Sequence, residues 1–327
     1  MAVYAGVGLS KQKDAFQAGY EACKLALENC GKHDPDLTIV FSSVNFDQKE
    51  VVRGVREMSE GASLIGCSDA GEIVNEGPSQ HAVAVLAIKS DQIKFYTGLG
   101  KDMKTVGARE AGKAVAKEVQ DKAGGDLKAF IMLPDVLTGN GADVVRGVLD
   151  VLGEHFPVVG GAAGDDFVFE KTYEYRDDEV VSGGVSGVGL GGTFSMGAGV
   201  RHGWIPIGNP MKVTKSEGSV VYELDNRPAI SIYEDYFGEK AEDIKKEPLA
   251  RMAITYPLGI RLEGLDEYLI RDPISVDDKG AITCAAEIPE GSEIRLMIGS
   301  KEKAVEAAQS AAKKLMKDFE KEGKKPS

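Results

Sequence analysis

Val51-Val-Arg-Gly-Val55 recurs 93 residues later as Val144-Val-Arg-Gly-Val148. Both pentapeptides sit in stretches with apolar residues at helical spacing, the first as Val51, Val52, Val55 and Met58. Working outward, Tyr4-Ala-Gly-Val-Gly8 returns as Tyr96-Thr-Gly-Leu-Gly100, Ala18-Gly19 as Ala111-Gly112, and Asp36-Leu37 as Asp126-Leu127. Matched landmarks in one order mark a duplication, with repeats of about 1–91 and 92–205. The drift in offset falls in loops: Pro134 to Gly141 is longer than its counterpart around Val44 to Gln48.

Each repeat reads β-α-β-α-β followed by more strand. In the first, Ala2 to Val7, Leu37 to Phe41 and Ser63 to Ile65 are short apolar runs. Between them lie helical patterns over Asp14 to Asn29 and Gln48 to Met58. Strands alternating with helices of this length imply crossover connections. The fold class expected is α/β, with duplicated β-α-β-α-β units and mixed, mainly parallel inner sheets. An N-terminal domain of residues 1–209 is followed by a strand-rich α+β domain over 210–327. There, Asp225-Asn-Arg-Pro228 reads as the start of a helix reaching Tyr236, and Met252 to Ile260 as a strand. Glu293-Ile-Arg-Leu-Met-Ile-Gly299 resembles Gln92-Ile-Lys-Phe-Tyr-Thr-Gly98, so a third unit begins there. Its helix carries Val305, Ala308, Ala312, Leu315, Met316 and Phe319.

The 327 residues hold 39 Lys and Arg against 52 Asp and Glu, a net charge of −13. That excess argues against nucleic acid, which needs a clustered positive field. No apolar run approaches the ~20 residues that cross a bilayer, and the N-terminus lacks a secretory signal pattern, so no membrane insertion is expected. Four cysteines without a CxxC pair suit a reducing cytoplasm.

No P-loop, HExxH or GxSxG signature is present. Gly187-Val-Gly-Leu-Gly191-Gly192 imitates a dinucleotide fingerprint, but it continues as strand rather than opening a helix. The four histidines share no ligand spacing, although His202 lies beside Trp204, the single tryptophan. The stronger candidates are two matched loops at the carboxyl ends of inner strands, where α/β sheets bind ligands. They are Gly66, Cys67, Ser68, Gly71 and Glu72 in the first repeat, and Gly160, Gly161, Gly164, Asp165 and Asp166 in the second. Small residues would open backbone N–H groups to a ligand, and the carboxylates would hold a polar group or an ammonium. A cysteine-dependent enzyme using Cys67 is the less favoured alternative: Cys67 lacks a matched base, and Asp165 and Asp166 are chain neighbours pointing apart, so catalysis is not expected.

Several stretches resemble the FIST domain family. Leu64-Ile-Gly-Cys-Ser68 with Gly71-Glu72, Val158-Val-Gly-Gly-Ala-Ala-Gly-Asp-Asp166, Gly203-Trp-Ile-Pro-Ile-Gly208 and Glu223-Leu-Asp-Asn-Arg-Pro-Ala229 carry the likeness. The resemblance covers nearly the whole chain and implies a sensory input protein of prokaryotic signalling. It implies a small-molecule ligand, amino acids among them, and a partner in trans: a histidine kinase, chemoreceptor or cyclic-dinucleotide enzyme. It also implies an alternative, a haem-binding nitric-oxide sensor, for which His202 is the candidate ligand. It offers no catalytic residues. Members of the family continue beyond Lys325-Pro-Ser327 into further strand and helix, so the C-terminal domain is expected to be incomplete. The expectation is therefore a cytoplasmic, non-catalytic sensor without a resident cofactor, whose ligand meets the two loops and Trp204.

Overall fold

The computed structural model describes residues 3–31, 33–238, 255–261, 267–321 and 323. The chain divides into two compact units, one ending at Met196 and the other beginning at Gly197. The first repeat runs through β1 (Val3–Ser10), α1 (Ala15–Asn29), β2 (Leu37–Ser43), α2 (Gln48–Met58) and β3 (Ser63–Asp69). The short strands β4 (Ile73–Val74) and β5 (Gly77–Pro78) and then β6 (Val83–Ser90) complete it. The second runs through β7 (Ile93–Gly100), the single turn α3 (Met103–Val106), α4 (Ala108–Ala123), β8 (Leu127–Pro134), α5 (Gly141–Leu152) and β9 (Val158–Gly160). It ends with β10 (Glu174–Arg176), β11 (Glu179–Val181) and β12 (Val185–Gly192). Helix starts follow local chemistry: Asp14, Asp47 and Asn140 cap α1, α2 and α5 by accepting first-turn N–H groups.

The repeats share one topology. The first sheet has the order β1-β6-β2-β3-β10-β11 and the second β7-β12-β8-β9. In each, the fourth long strand inserts antiparallel between the first two, and the crossover helix returns the chain parallel. Hydrogen-bonded parallel pairing is thus confined to β2–β3 and β8–β9. This is less parallel than the β-α-β-α-β pattern alone suggests. The reason is that the inserted strand separates β1 from β2, and β7 from β8, although the members of each pair run the same way.

Helices cover the outer faces. Ala18, Ala22 and Cys23 of α1 and Val51, Val52 and Val55 of α2 bury against Val40, Leu64 and Val85 of the first sheet. Val115 and Val119 of α4 with Val144 and Val148 of α5 bury against Phe130 and Met132 of the second. The inner faces meet through Leu37, Ile65 and Cys67 on one side and Ala129, Leu133 and Val188 on the other. The unit is an α/β/β/α sandwich.

The recurring pentapeptide marks a helix crossing. A Cβ at Gly19 of α1 would strike the Val51 carbonyl, and one at Gly54 of α2 the Phe16 carbonyl. Gly112 and Gly147 repeat this against Val144 and Arg109. The backbones touch, so only glycine fits. The Gly187 to Gly192 run lies in β12, the second strand of its sheet, as the strand reading expects.

The second unit is strand-rich. Its strands are β13 (Trp204–Glu217), β14 (Val220–Leu224), β15 (Arg227–Pro228), β16 (Leu258–Arg261), β17 (Tyr268–Arg271), β18 (Pro273–Val276), β19 (Ile282–Cys284) and β20 (Glu293–Gly299). The helices are α6 (Ser231–Phe237) and α7 (Lys301–Lys321). β13 pairs with β20 along its first part and β14 along its second, joining one sheet in the order β17-β16-β20-β13-β14-β19-β18. The expected helix start at Asp225 is a hairpin instead. Asp225 and Asn226 are both left-handed, at φ 48° and 61°, and return Arg227–Pro228 against β14. The expected strand from Met252 lies partly outside the described residues, with β16 beginning at Leu258.

Candidate functional site

The two matched loops come together. Ser68 and Asp69 end β3, and the segment after β9 lies across them. Gly164 N–H donates to the Ser68 carbonyl at 2.9 Å, and Asp166 N–H to the Asp69 carbonyl at 3.0 Å. Ser68 Oγ donates to the Gly164 carbonyl at 2.6 Å and accepts Tyr173 N–H at 2.9 Å. A Cβ on Gly164 would crowd Ala70, so close backbone approach explains this glycine. Gly66 is buried inside β3, while Gly160 and Gly161 are exposed. Gly71 is half-buried, and its N–H holds the Asp69 carboxylate.

The acidic side chains differ in what they are given. Asp165 is buried and accepts Phe169 N–H at 3.0 Å, Glu170 N–H at 2.7 Å and Lys171 N–H at 3.1 Å. It holds its own loop. Asp166 ties that loop to the end of β2, accepting from Ser43 Oγ at 2.6 Å and from Val44 N–H and Asn45 Nδ2 at 3.2 Å. His81 Nδ1 stands 3.9 Å from its other oxygen.

Glu72 is 2% exposed. Its Oε1 accepts Ala82 N–H at 3.0 Å, but Oε2 has no partner among the described residues. Neither has Asp69 Oδ1 nor Ser79 Oγ, both buried and from the same connection between β3 and β6. Burial, and then the Glu72 charge, push the Asp69 carboxyl up to about 7. A buried carboxylate oxygen without a donor costs about 1–3 kcal/mol, more when charged. Two of these atoms are carboxylate oxygens, which accept hydrogen bonds only and would be satisfied by a group with N–H donors and positive charge.

Beneath the loops, Cys67 is enclosed in the core between the sheets, and its thiol is pushed well above 9 by burial and then by Glu174. Such a thiol is not a nucleophile at neutral pH. Glu174 on β10 is fully buried. It accepts Thr172 Oγ at 3.2 Å and Gly184 N–H at 3.1 Å, and burial and then Asp135 raise it to about 9. Ser79 and Glu174 carry no spacing signal in the sequence, because only folding brings them to the loop that already holds Asp69. A cavity of about 500 Å³ lies nearby, lined by Phe46, Gln48, Lys49, Lys171 and Tyr173. Its lining mixes charges, Lys49 and Lys171 with Asp47, and Lys171 Nζ lies 4.7 Å from the Tyr173 ring.

Trp204 and His202 belong to the second unit. Trp204 begins β13 and packs its ring over Gly299. His202 Nε2 donates to the Tyr268 carbonyl at 2.7 Å, and Nδ1 accepts Trp204 N–H at 3.3 Å. Both ring nitrogens of this neutral imidazole are committed, so His202 does not fit an axial haem ligand. Among the described residues no group of three or more His, Cys, Asp or Glu could hold a metal ion. No helix there is long and apolar enough to cross a membrane.

The FIST N domain matches residues 36–227 and the FIST C domain residues 229–323. An uncharacterized protein of Methanocaldococcus jannaschii is 27% identical over 95% of this chain and 62% of its own length. Another, of Mycobacterium tuberculosis, is 27% identical over 90% of this chain and 76% of its own. The chain thus spans about 62% of the length of the archaeal relative. A crystal structure of cyanuric acid hydrolase from A. caulinodans is similar at TM-score 0.32 and 12% identity, over 59% of this chain and 72% of that one. A second cyanuric acid hydrolase is similar at 0.34 and 8%, over 92% and 100%. The chain belongs to the FIST family, whose domains are associated with sensory signal transduction.

Proposed function

We propose that this protein is a non-catalytic sensory module, and that its first unit binds a small ligand through an ammonium or similar cationic N–H group. The observation that carries this reading is the buried Glu72 Oε2, which has no donor among the described residues; nor has Asp69 Oδ1 or Ser79 Oγ of the same stretch of chain. A free amino acid or amine supplies both the missing donors and the counter-charge. The inert setting of Cys67 and the structural use of Asp165 support a binding role over catalysis. Binding would act on a separate output protein by population shift, the ligand favouring one arrangement of the β3–β6 connection and the loop lying on it.

The test is a thermal-shift and calorimetric screen of amino acids, amines and matched neutral analogues. A cationic ligand should raise the melting temperature. Glu72→Gln keeps an oxygen for Ala82 N–H yet removes the charge, so it should lose at least tenfold in affinity while staying folded. No stabilisation by any cationic compound, or binding unchanged in Glu72→Gln, rejects the reading.

A further inference from the structure

We propose that the cavity beside the start of α2 is a ligand site of its own, built for a small aromatic monocarboxylate. It holds about 500 Å³, within the roughly 300–1,000 Å³ of small-molecule sites. Three stretches of chain in the first unit wall it: the turn entering α2, the segment entering β10, and β11 with the residue after it.

These walls are held from behind. Gln48 is 4% exposed and spends its whole amide. Its Oε1 accepts Ser42 Oγ at 2.9 Å and the Tyr175 hydroxyl, and its Nε2 donates to the Ser43 and Phe46 carbonyls at 3.0 and 2.7 Å. The turn carrying Phe46 is thereby fixed. Tyr173 is tied to Ser68 through both backbone groups: its N–H donates to Ser68 Oγ at 2.9 Å, and its carbonyl accepts Ser68 N–H at 2.8 Å. Lys171 N–H ends on Asp165 Oδ2 at 3.1 Å. Walls tied in this way keep the cavity open without an occupant, and such preorganisation lowers the cost of binding.

The charges at the rim select the ligand. Lys49 and Lys171 are exposed, and neither makes an ion pair among the described residues. Lys171 Nζ rests 4.7 Å from the Tyr173 ring, which holds the ammonium at the cavity. Asp47 is the one carboxylate in the lining, and it is already answered. Its Oδ1 accepts Lys49 N–H at 3.0 Å and Glu50 N–H at 3.3 Å, capping α2. Glu50 itself is paired with Arg53. The lining thus offers two cations and one compensated anion, a field for a single negative charge. A dianion would meet Asp47, and the α2 N–H groups that would otherwise cradle a phosphate are spent on that cap. Phe46, Tyr173, Val180 and Val181 supply the rest of the wall, all half-buried. Against aromatic rings a flat ring packs well, offset or edge-on. A flat ring bearing one carboxylate meets both demands.

The experiment is calorimetry of the whole chain, with saturation-transfer NMR, against benzoate, phenylacetate and indole-3-acetate. Benzamide is the neutral control and adenosine monophosphate the dianion. None of these probes carries an ammonium, so the result is independent of the Glu72 reading. At least one carboxylate should bind, more weakly as salt rises, and its neutral counterpart at least tenfold more weakly. Lys49→Ala and Lys171→Ala should each weaken binding at least fivefold, and Lys171→Arg should keep it. Ser182→Trp should fill the cavity from its exposed rim and remove binding, with circular dichroism showing the fold kept. Benzamide binding as tightly as benzoate overturns the proposal, and so does carboxylate binding unchanged in both lysine-to-alanine variants. Adenosine monophosphate as the only binder, or no carboxylate bound at about 5 mM, overturns it as well.

Discussion

The loops after β3 and β9 occupy the same place in two copies of one unit, yet their carboxylates have different uses. Asp165, in the second repeat, spends both oxygens on three backbone N–H groups of its own loop. Glu72, in the first, spends one and leaves the other buried without a donor. Duplication supplied two equivalent loops at adjacent strand ends. One has become the brace that covers the other, and the covered one keeps an unmet electrostatic demand. A motif shared by both repeats is therefore a poor guide to which residue binds. The hydrogen-bond inventory of each carboxylate separates them.

What the repeats hold in common should be the more costly to break. Gly19→Leu forces a side chain into the Val51 carbonyl of α2, and Gly112→Leu forces one into the Val144 carbonyl of α5. Neither backbone can retreat without separating the helices. Each substitution should destabilise the first unit by about 3 kcal/mol or more, read as loss of melting temperature by circular dichroism. Similar losses confirm that the two crossings are equivalent. A large loss at one and none at the other breaks the equivalence.

These crossings are also the most legible part of the sequence. Val51-Val-Arg-Gly-Val55 and its copy keep the same glycine because a backbone contact admits nothing else, and helical periodicity gives α2 its bounds, Gln48–Met58. Strand order was less legible. Nothing in the pattern of β6 or β12 says that it inserts between the first two strands, since pairing is settled by contacts distant in sequence. At Asp225 propensity misled, because Pro228 suits a first helical turn, whereas two left-handed residues before it make a hairpin. At the site, the loops were legible as glycine-rich strand ends. Their meeting was not, nor the inert position of Cys67, because the sheet-on-sheet core depends on which face of β3 turns inward.

Below the loops, Glu174 links the repeats and tests how the buried seam answers to pH. Its folded value of about 9 lies above the ordinary 4.5. The stability it contributes is complete below about 4.5 and is lost as pH rises through about 9. Glu174→Gln removes that dependence and keeps an acceptor for Gly184 N–H. The variant should gain about 3 kcal/mol over the parent at pH 7, and its stability should be flatter from pH 5 to 9. Urea titrations at several pH values measure this. An unchanged slope would show that Glu174 is not the titrating group.

The two loop carboxylates should then diverge. Asp165→Ala strips three N–H groups of their acceptor and should cost about 1–3 kcal/mol. Glu72→Gln removes a charge that has no donor on one side, so it should be neutral or stabilising in urea unfolding. The same sign in both variants would erase the distinction between brace and pocket.

The smallest effect tests that distinction through Asp69. Its carboxyl, raised from 3.8 to about 7, is largely neutral below pH 7. A cationic ligand is attracted to the ionised form, so protons compete with it. Affinity should be level above about pH 7.5 and fall by up to tenfold per unit as pH drops below 7, measured by calorimetry in buffers of matched ionic strength. Asp69→Asn should bind more weakly at pH 8 and lose this slope. Stability without ligand should behave oppositely, since a raised carboxyl favours the folded state at low pH and that stabilisation is lost through about 7. Opposed slopes in binding and in stability, both abolished in Asp69→Asn, would place the titrating group in the pocket of the first repeat. A binding slope that persists in Asp69→Asn but disappears in Asp166→Asn would place it on the covering loop, and the comparison between the repeats would have to be reversed.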